Sequence, residues 1–176
     1  WLVVWDDHEV DNNWAADIPE NRNANQMNDT RERFRRRRAN AFKAYYENMP
    51  LRASAAADGP DIRIYRRIQW GALANFHMMD TRQYRDDQPC GDSLTTPCPE
   101  AETEPRRYLG DAQKAWFKQE LISARDAGYP LVLWVNPDPW IAPAKVGDDT
   151  WGGHATEQAC GAHRGCGDHD RRDAES

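Results

Sequence analysis

The residues best suited to chemistry stand close to the start of the chain: Asp6, Asp7, His8, Glu9, Asp11, Asn12 and Asn13. Two adjacent carboxylates and an imidazole repel or deprotonate one another unless a cation sits among them. Oxygen donors with a single nitrogen suit Ca, Mg, Mn or Fe better than the thiolate-rich setting of a structural zinc. Asn12 and Asn13 add side-chain carbonyls for a metal or amides for a phosphate, with an ordinary turn as the equal alternative. For Asp-Asp-His taken alone, a solvated turn after a strand competes evenly with a cation site. A second group, Asp80 and Arg82, could bind a phosphate, brace the first group, or form a strand-end salt bridge.

These residues need elements to hold them. Trp1 to Trp5 is apolar, β-branched and aromatic, which predicts a buried strand that delivers the polar cluster at its carboxyl end. Open α/β sheets place ligand sites at that end. Residues 15–28 lack periodicity and read as a loop over the site. Residues 29–49 read as a helix with Asp29 as N-cap, Glu32 closing a capping box, and Phe34, Ala41, Phe42, Tyr45 and Met49 on one stripe. Pro50 ends it. Ile62, Ile64 and Ile68 alternate with polar residues, and residues 72–79 return, which predicts a hairpin that presents Asp80 and Arg82. His77, inside an apolar run, reads as a satisfied core histidine. Residues 110–127 read as a second helix with Trp116, Phe117, Glu120, Leu121 and Ala124 near one face and Gly128 just past its end. Leu131 to Val135 reads as a fully buried parallel strand. The loop from Asn136 follows at that strand's carboxyl end, where it could line the same cleft as His8.

The longer strings are more specific than any of these features alone. Trp5-Asp6-Asp7-His8-Glu9-Val10-Asp11-Asn12-Asn13-Trp14 resembles the signature of the PhoD-like alkaline phosphatases, within the metallophosphatase (calcineurin-like phosphoesterase) superfamily. Met79-Asp80-Thr81-Arg82-Gln83-Tyr84-Arg85-Asp86-Asp87-Gln88-Pro89-Cys90 resembles a second landmark of that family, and Leu109-Gly110-Asp111-Ala112-Gln113 with Trp116 a third. The order is the family's, and the resemblance runs over roughly residues 1–153. It implies an α/β fold, part of a metallophosphatase-type β-sandwich core flanked by helices. The implied activity is phosphoester hydrolysis by metal-activated hydroxide on a small phosphomonoester or phosphodiester. Iron and calcium are the implied metals, with other divalent ions as alternatives, and the implied location is extracytoplasmic, periplasmic or secreted. By analogy with the Asn-His pair of the superfamily, Asp7 matches the metal-ligand position and His8 the imidazole that contacts substrate and protonates the leaving oxygen. Asp6, Asp11, Asn12, Asn13, Asp80 and Arg82 fall to supporting or substrate-contacting roles. The family's other metal ligands lie before the first landmark and near a carboxyl-terminal Gly-Asp-x-His segment. Starting within a strand, the chain reads as a fragment, expected to show little or no phosphatase activity by itself.

Composition bounds the alternatives. The chain has 176 residues, a net charge of −6 and a mean hydropathy of −0.97. No window approaches the ~18 apolar residues that a membrane span requires, and no signal peptide is read. The arginines between Arg31 and Arg38 invite a nucleic-acid reading, but net acidity and the absence of a stacking motif favour a solvated helix face. The competing function is a non-catalytic phosphate- or nucleic-acid-binding module. Cys90 and Cys98, in a proline-rich loop, suit a disulfide, with free thiols as the alternative. Residues 154–176 are nearly devoid of apolar side chains, which predicts a disordered tail or a lost reading frame. There, Cys160, His163, Cys166 and His169 recur every three residues, a poor spacing for one tetrahedral zinc.

Overall fold

Apolar and aromatic residues that precede and follow one helix in the chain converge on it. α1 spans Arg31–Asn48 and buries Phe34, Arg38, Phe42 and Tyr45, a stripe at helical spacing. Against it pack Trp5, Trp14, Ile62 and Ile64. Trp5 stacks on Phe42 with ring centroids 4.5 Å apart and meets Tyr45 edge-on at 5.3 Å. Each such buried aromatic contributes on the order of 2–3 kcal/mol over its exposed state. The computed structural model describes residues 1–20, 30–89, 105–140 and 151. Cys90, Cys98, Asp29 and the tail at 154–176 lie outside them.

Thr30 caps α1, its hydroxyl accepting the Arg33 amide at 3.2 Å. It fills the role expected of Asp29, and Glu32 stands in the first turn. The basic run is not simply a solvated face. Arg38 is 3 % exposed, lies against the Trp14 and Phe42 rings, and donates to the backbone carbonyls of Pro60 and Ala16. Burial pulls its pKa down, opposed by Asp17 and Asp61 at 3.1 Å each. Arg35 pairs with Asp17 at 2.6 Å and Arg37 with Asp11 at 3.4 Å.

Beyond a short 3-10 turn at Ala53–Ala55, β1 (Arg66–Trp70) and β2 (Ala74–Met78) form the expected antiparallel hairpin. Gly71, at φ +55, makes the turn that a side chain would strain. Ile62 and Ile64 are buried but precede the strand. Ladder pairing starts only at Arg66, so the alternation read from them marks core contacts, not sheet. α2 (Asp111–Asp126) follows, closed by Gly128 at φ +71 whose amide donates to Arg125 O. Gln113 and Ala124 are its buried residues, while Leu121 is 37 % exposed. β3 (Leu131–Val135) then adds to β2 in parallel, giving the order β1-β2-β3.

Two strand expectations need correction. Residues 1–5 run extended without strand pairing among the described residues, and Trp1 is 99 % exposed. Only the far end is anchored, by Trp5 in the core and by Arg66 donating to Val3 O at 2.8 Å. β3 is parallel as expected, yet Leu131, Val132 and Leu133 are 49, 40 and 38 % exposed, because it is an edge strand of this sheet. The fold is mixed α/β; among the described residues the sheet has three strands, and no second sheet faces it.

The chain divides into two units. Trp1–Asp87 with Leu109–Asp138 forms the one just described. In the other, Gln88–Tyr108 with Pro139–Ser176, Trp151 packs on Tyr108 at 4.2 Å and on Trp140 at 4.7 Å.

Candidate functional site

The polar cluster sits on a tight turn that leaves the core at Trp5 and returns at Trp14. Val10 and Asp11 amides donate to Asp7 O, and the Trp14 indole donates to the same oxygen at 3.1 Å. Asn13 takes φ +51, which Asn tolerates better than most residues. That brings its amide to Asp7 Oδ2 at 3.0 Å, while the His8 amide donates to Asp7 Oδ1 at 2.8 Å. Asp7 is thus 7 % exposed, with one backbone donor on each oxygen.

His8 points outward, its side chain 79 % exposed. Its Nε2 lies 3.7 Å from Asp7 Oδ2 and 2.9 Å from Asn12 Oδ1. Asn12 in turn donates through Nδ2 to Glu20 Oε2, and Glu20 is 4 % exposed. Asp7 and His8 therefore share one environment, and Asn12 joins them. Asp11 is drawn instead to Arg37, and Asn13 contributes its backbone amide.

Arg82 lies beneath the turn with its side chain wholly buried. Its Nε and Nη2 both reach Asp6 Oδ1, at 3.0 and 2.7 Å; Nη2 also lies 3.4 Å from Asp138 Oδ1 and 4.0 Å from Asp7 Oδ2. Burial pushes the Asp6 carboxyl up to about 6; Arg82 opposes the rise, and Asp138 and Asp7 add to it. One guanidinium facing three carboxylates is a charge-assisted clamp on the turn.

Asp80 does a different job. It is fully buried and accepts the Trp5 indole at 3.2 Å and the Arg82 and Gln83 amides at 3.0 Å each. Burial raises its pKa, countered by the bonds from Gln83, Arg82 and Trp5. Gln113 holds its backbone on both sides, accepting Asp80 N–H at 2.8 Å and donating to Asp80 O at 2.7 Å. Through these contacts Asp80 joins β2, α2 and the Trp5 segment.

Sequence reasoning missed Asp138, Glu20, Gln113 and Arg38. Asp138 follows β3 at the expected end, so position alone pointed there. Gln113 belongs to the third landmark, but its backbone clamp is a tertiary contact. Glu20, after Pro19 in a polar stretch, carries no signal in the sequence.

The donor types at the turn suit a hard cation, but the number falls short. Asp7 can offer the remaining lone pairs of its two oxygens, and His8 an imidazole beside it. Among the described residues no group of three His, Cys, Asp or Glu side chains gathers around a point a metal could fill. The turn by itself does not make a metal centre.

With this geometry in view, the likenesses to known proteins can be placed on it. The family model described as PhoD-like phosphatase matches residues 1–159. Alkaline phosphatase D of Bacillus subtilis (strain 168) is 46 % identical over 124 residues, covering 70 % of this chain and 20 % of that protein. A solved structure described as "Structure of PhoD" matches with a TM-score of 0.72 and 38 % identity, over 90 % of this chain and 30 % of the other. The chain thus spans about a fifth to a third of the length of these relatives. The match takes in all three landmarks and the turn that carries His8. The chain belongs to the PhoD-like phosphatase family.

Proposed function

We propose that this segment serves phosphoester hydrolysis, on monoesters or diesters, by presenting His8 to the substrate. The observation that carries the reading is the exposed His8 imidazole, tethered through Nε2 to Asn12 beside the buried Asp7. An imidazole so held can give a proton to a leaving oxygen, worth about 10²–10⁴ in rate for a well-placed general acid. The clamp of Arg82 on Asp6 and Asp138 keeps the turn from shifting as charge builds nearby. Iron and calcium are the metals proposed from the family resemblance, with Asp7 as one ligand and the rest outside the described residues; bound there, they would supply Lewis acidity toward phosphate oxygens. The three-stranded sheet is proposed as part of a two-layered sandwich, which its exposed Trp70, Leu73 and β3 face would suit. The proposed setting is extracytoplasmic, from the family resemblance alone.

The nucleic-acid alternative finds little support in α1, where Arg35, Arg37 and Arg38 are paired with Asp17, Asp11 and Asp61. The test is a segment swap. The matching stretch of the Bacillus enzyme is replaced by this chain's, and p-nitrophenyl phosphate turnover is followed with calcium and iron present. Retained turnover in the chimera, with little or none from the 176-residue chain alone, is the expected outcome. A folded but inactive chimera, or robust turnover by the isolated chain, would overturn the reading.

A further inference from the structure

We infer that Glu20 is a positioning residue that decides which nitrogen of His8 carries the proton. The inference rests on the proposed role of His8 and adds a residue to it. Glu20 is 4 % exposed, and its Oε2 accepts a hydrogen bond from Asn12. Asn12 meets it with Nδ2, so the amide has one orientation: nitrogen toward Glu20, oxygen toward His8. That oxygen, 2.9 Å from His8 Nε2, also only accepts. Nε2 must therefore bear hydrogen. Asp7 Oδ2, 3.7 Å from the same nitrogen, is beyond hydrogen-bond reach, but its charge favours hydrogen on that side. Nδ1 is left facing solution on a side chain that is 79 % exposed. The nitrogen offered to substrate is Nδ1, which gives a proton to a leaving oxygen only after the ring has taken up a second proton there. A buried carboxylate one residue removed from the ring sets that choice.

Without the carboxylate, Asn12 loses the reason for its orientation. A glutamine at position 20 can present either its oxygen or its amide, so Asn12 is free to turn and offer N–H to Nε2. Glu20→Gln keeps the volume and removes the constraint, which makes it the informative variant.

The test is a long-range ¹H–¹⁵N correlation on the 176-residue chain with labelled histidine, at a pH where the imidazole is neutral. His8 is expected wholly as the Nε2–H tautomer in the parent chain and as a mixture in Glu20→Gln. Asn12→Ala should give the same mixture, since it removes the link itself. In the segment-swap enzyme Glu20→Gln should lower kcat in proportion to the Nε2–H tautomer lost, about twofold for an even mixture, with KM little changed. His8 found as Nδ1–H in the parent chain, or a ratio unmoved by Glu20→Gln, overturns the inference. If the variants fail to fold, the parent spectrum still decides, because Nδ1–H there contradicts the Asn12 orientation. The spectrum needs no turnover, so an inactive chimera with the expected tautomers would sink the proposed reaction and leave this positioning standing.

Discussion

Arg82 is the side chain on which the most charges converge. It is the near neighbour of Asp6, Asp138 and Asp7 and has no exposed surface. Replacing it by Met would leave carboxylates facing one another without their cation, at a cost on the order of 3 kcal/mol. Urea unfolding of Arg82→Met should show that loss, and a loss below about 1 kcal/mol would mean the clamp is not structural. His77 presents the reverse case. It is buried in the core as read from sequence, but not satisfied: neither ring nitrogen has a hydrogen-bond partner among the described residues. Phe117 and Trp116 meet its ring edge-on at 5.6 and 6.2 Å. Burial lowers its pKa from 6.5, partly offset by Glu120 on α2, with Arg67 on β1 adding to the lowering. The unfolded chain therefore binds the proton first as pH falls below 6.5, and stability drops there. His77→Phe should flatten that part of the pH–stability curve and, by removing two unsatisfied nitrogens, add about 1 kcal/mol at neutral pH. An unchanged pH dependence would assign the effect elsewhere. Residue types announced Asp7 and His8 because carboxylates and an imidazole crowd together directly after an apolar run. The partners that fix them, Glu20 and Asp138, are ordinary acids whose meaning comes only from distance.

At the level of elements, the helices and the hairpin were legible because helical spacing, Gly71 and Gly128 state their ends locally. Strand burial was not. Trp1 to Trp5 and Leu131 to Val135 are apolar enough for a buried strand, yet Trp1 and Leu131 are open to solvent. Hydrophobic composition records what a segment can be buried against, while exposure depends on which neighbours are present. Landmark residues sit where elements meet. Gly110, just before α2, has φ +71, and a Cβ there would come within 2.7 Å of Tyr84 Cβ. Gly110→Ala combines backbone strain with a clash and should cost about 2–3 kcal/mol. A thermal or urea midpoint within error of the parent would show that α2 can shift away from Tyr84.

For the molecule as a whole, family membership was readable from three ordered strings, and the structure explains why they travel together. The first string makes the turn that presents His8. The second supplies Asp80 and Arg82 beneath it, and the third supplies Gln113, which grips Asp80. The chain spans only a fifth to a third of the length of its relatives. Under the proposed reading, this segment would contribute one wall of a site completed by the longer protein. The most direct measurement is kcat for p-nitrophenyl phosphate in the segment-swap enzyme with and without His8→Ala. A loss of about 10²–10⁴ with the fold intact is the result expected if His8 serves the leaving group. A His8→Ala chimera that turns over as fast as its parent would contradict it.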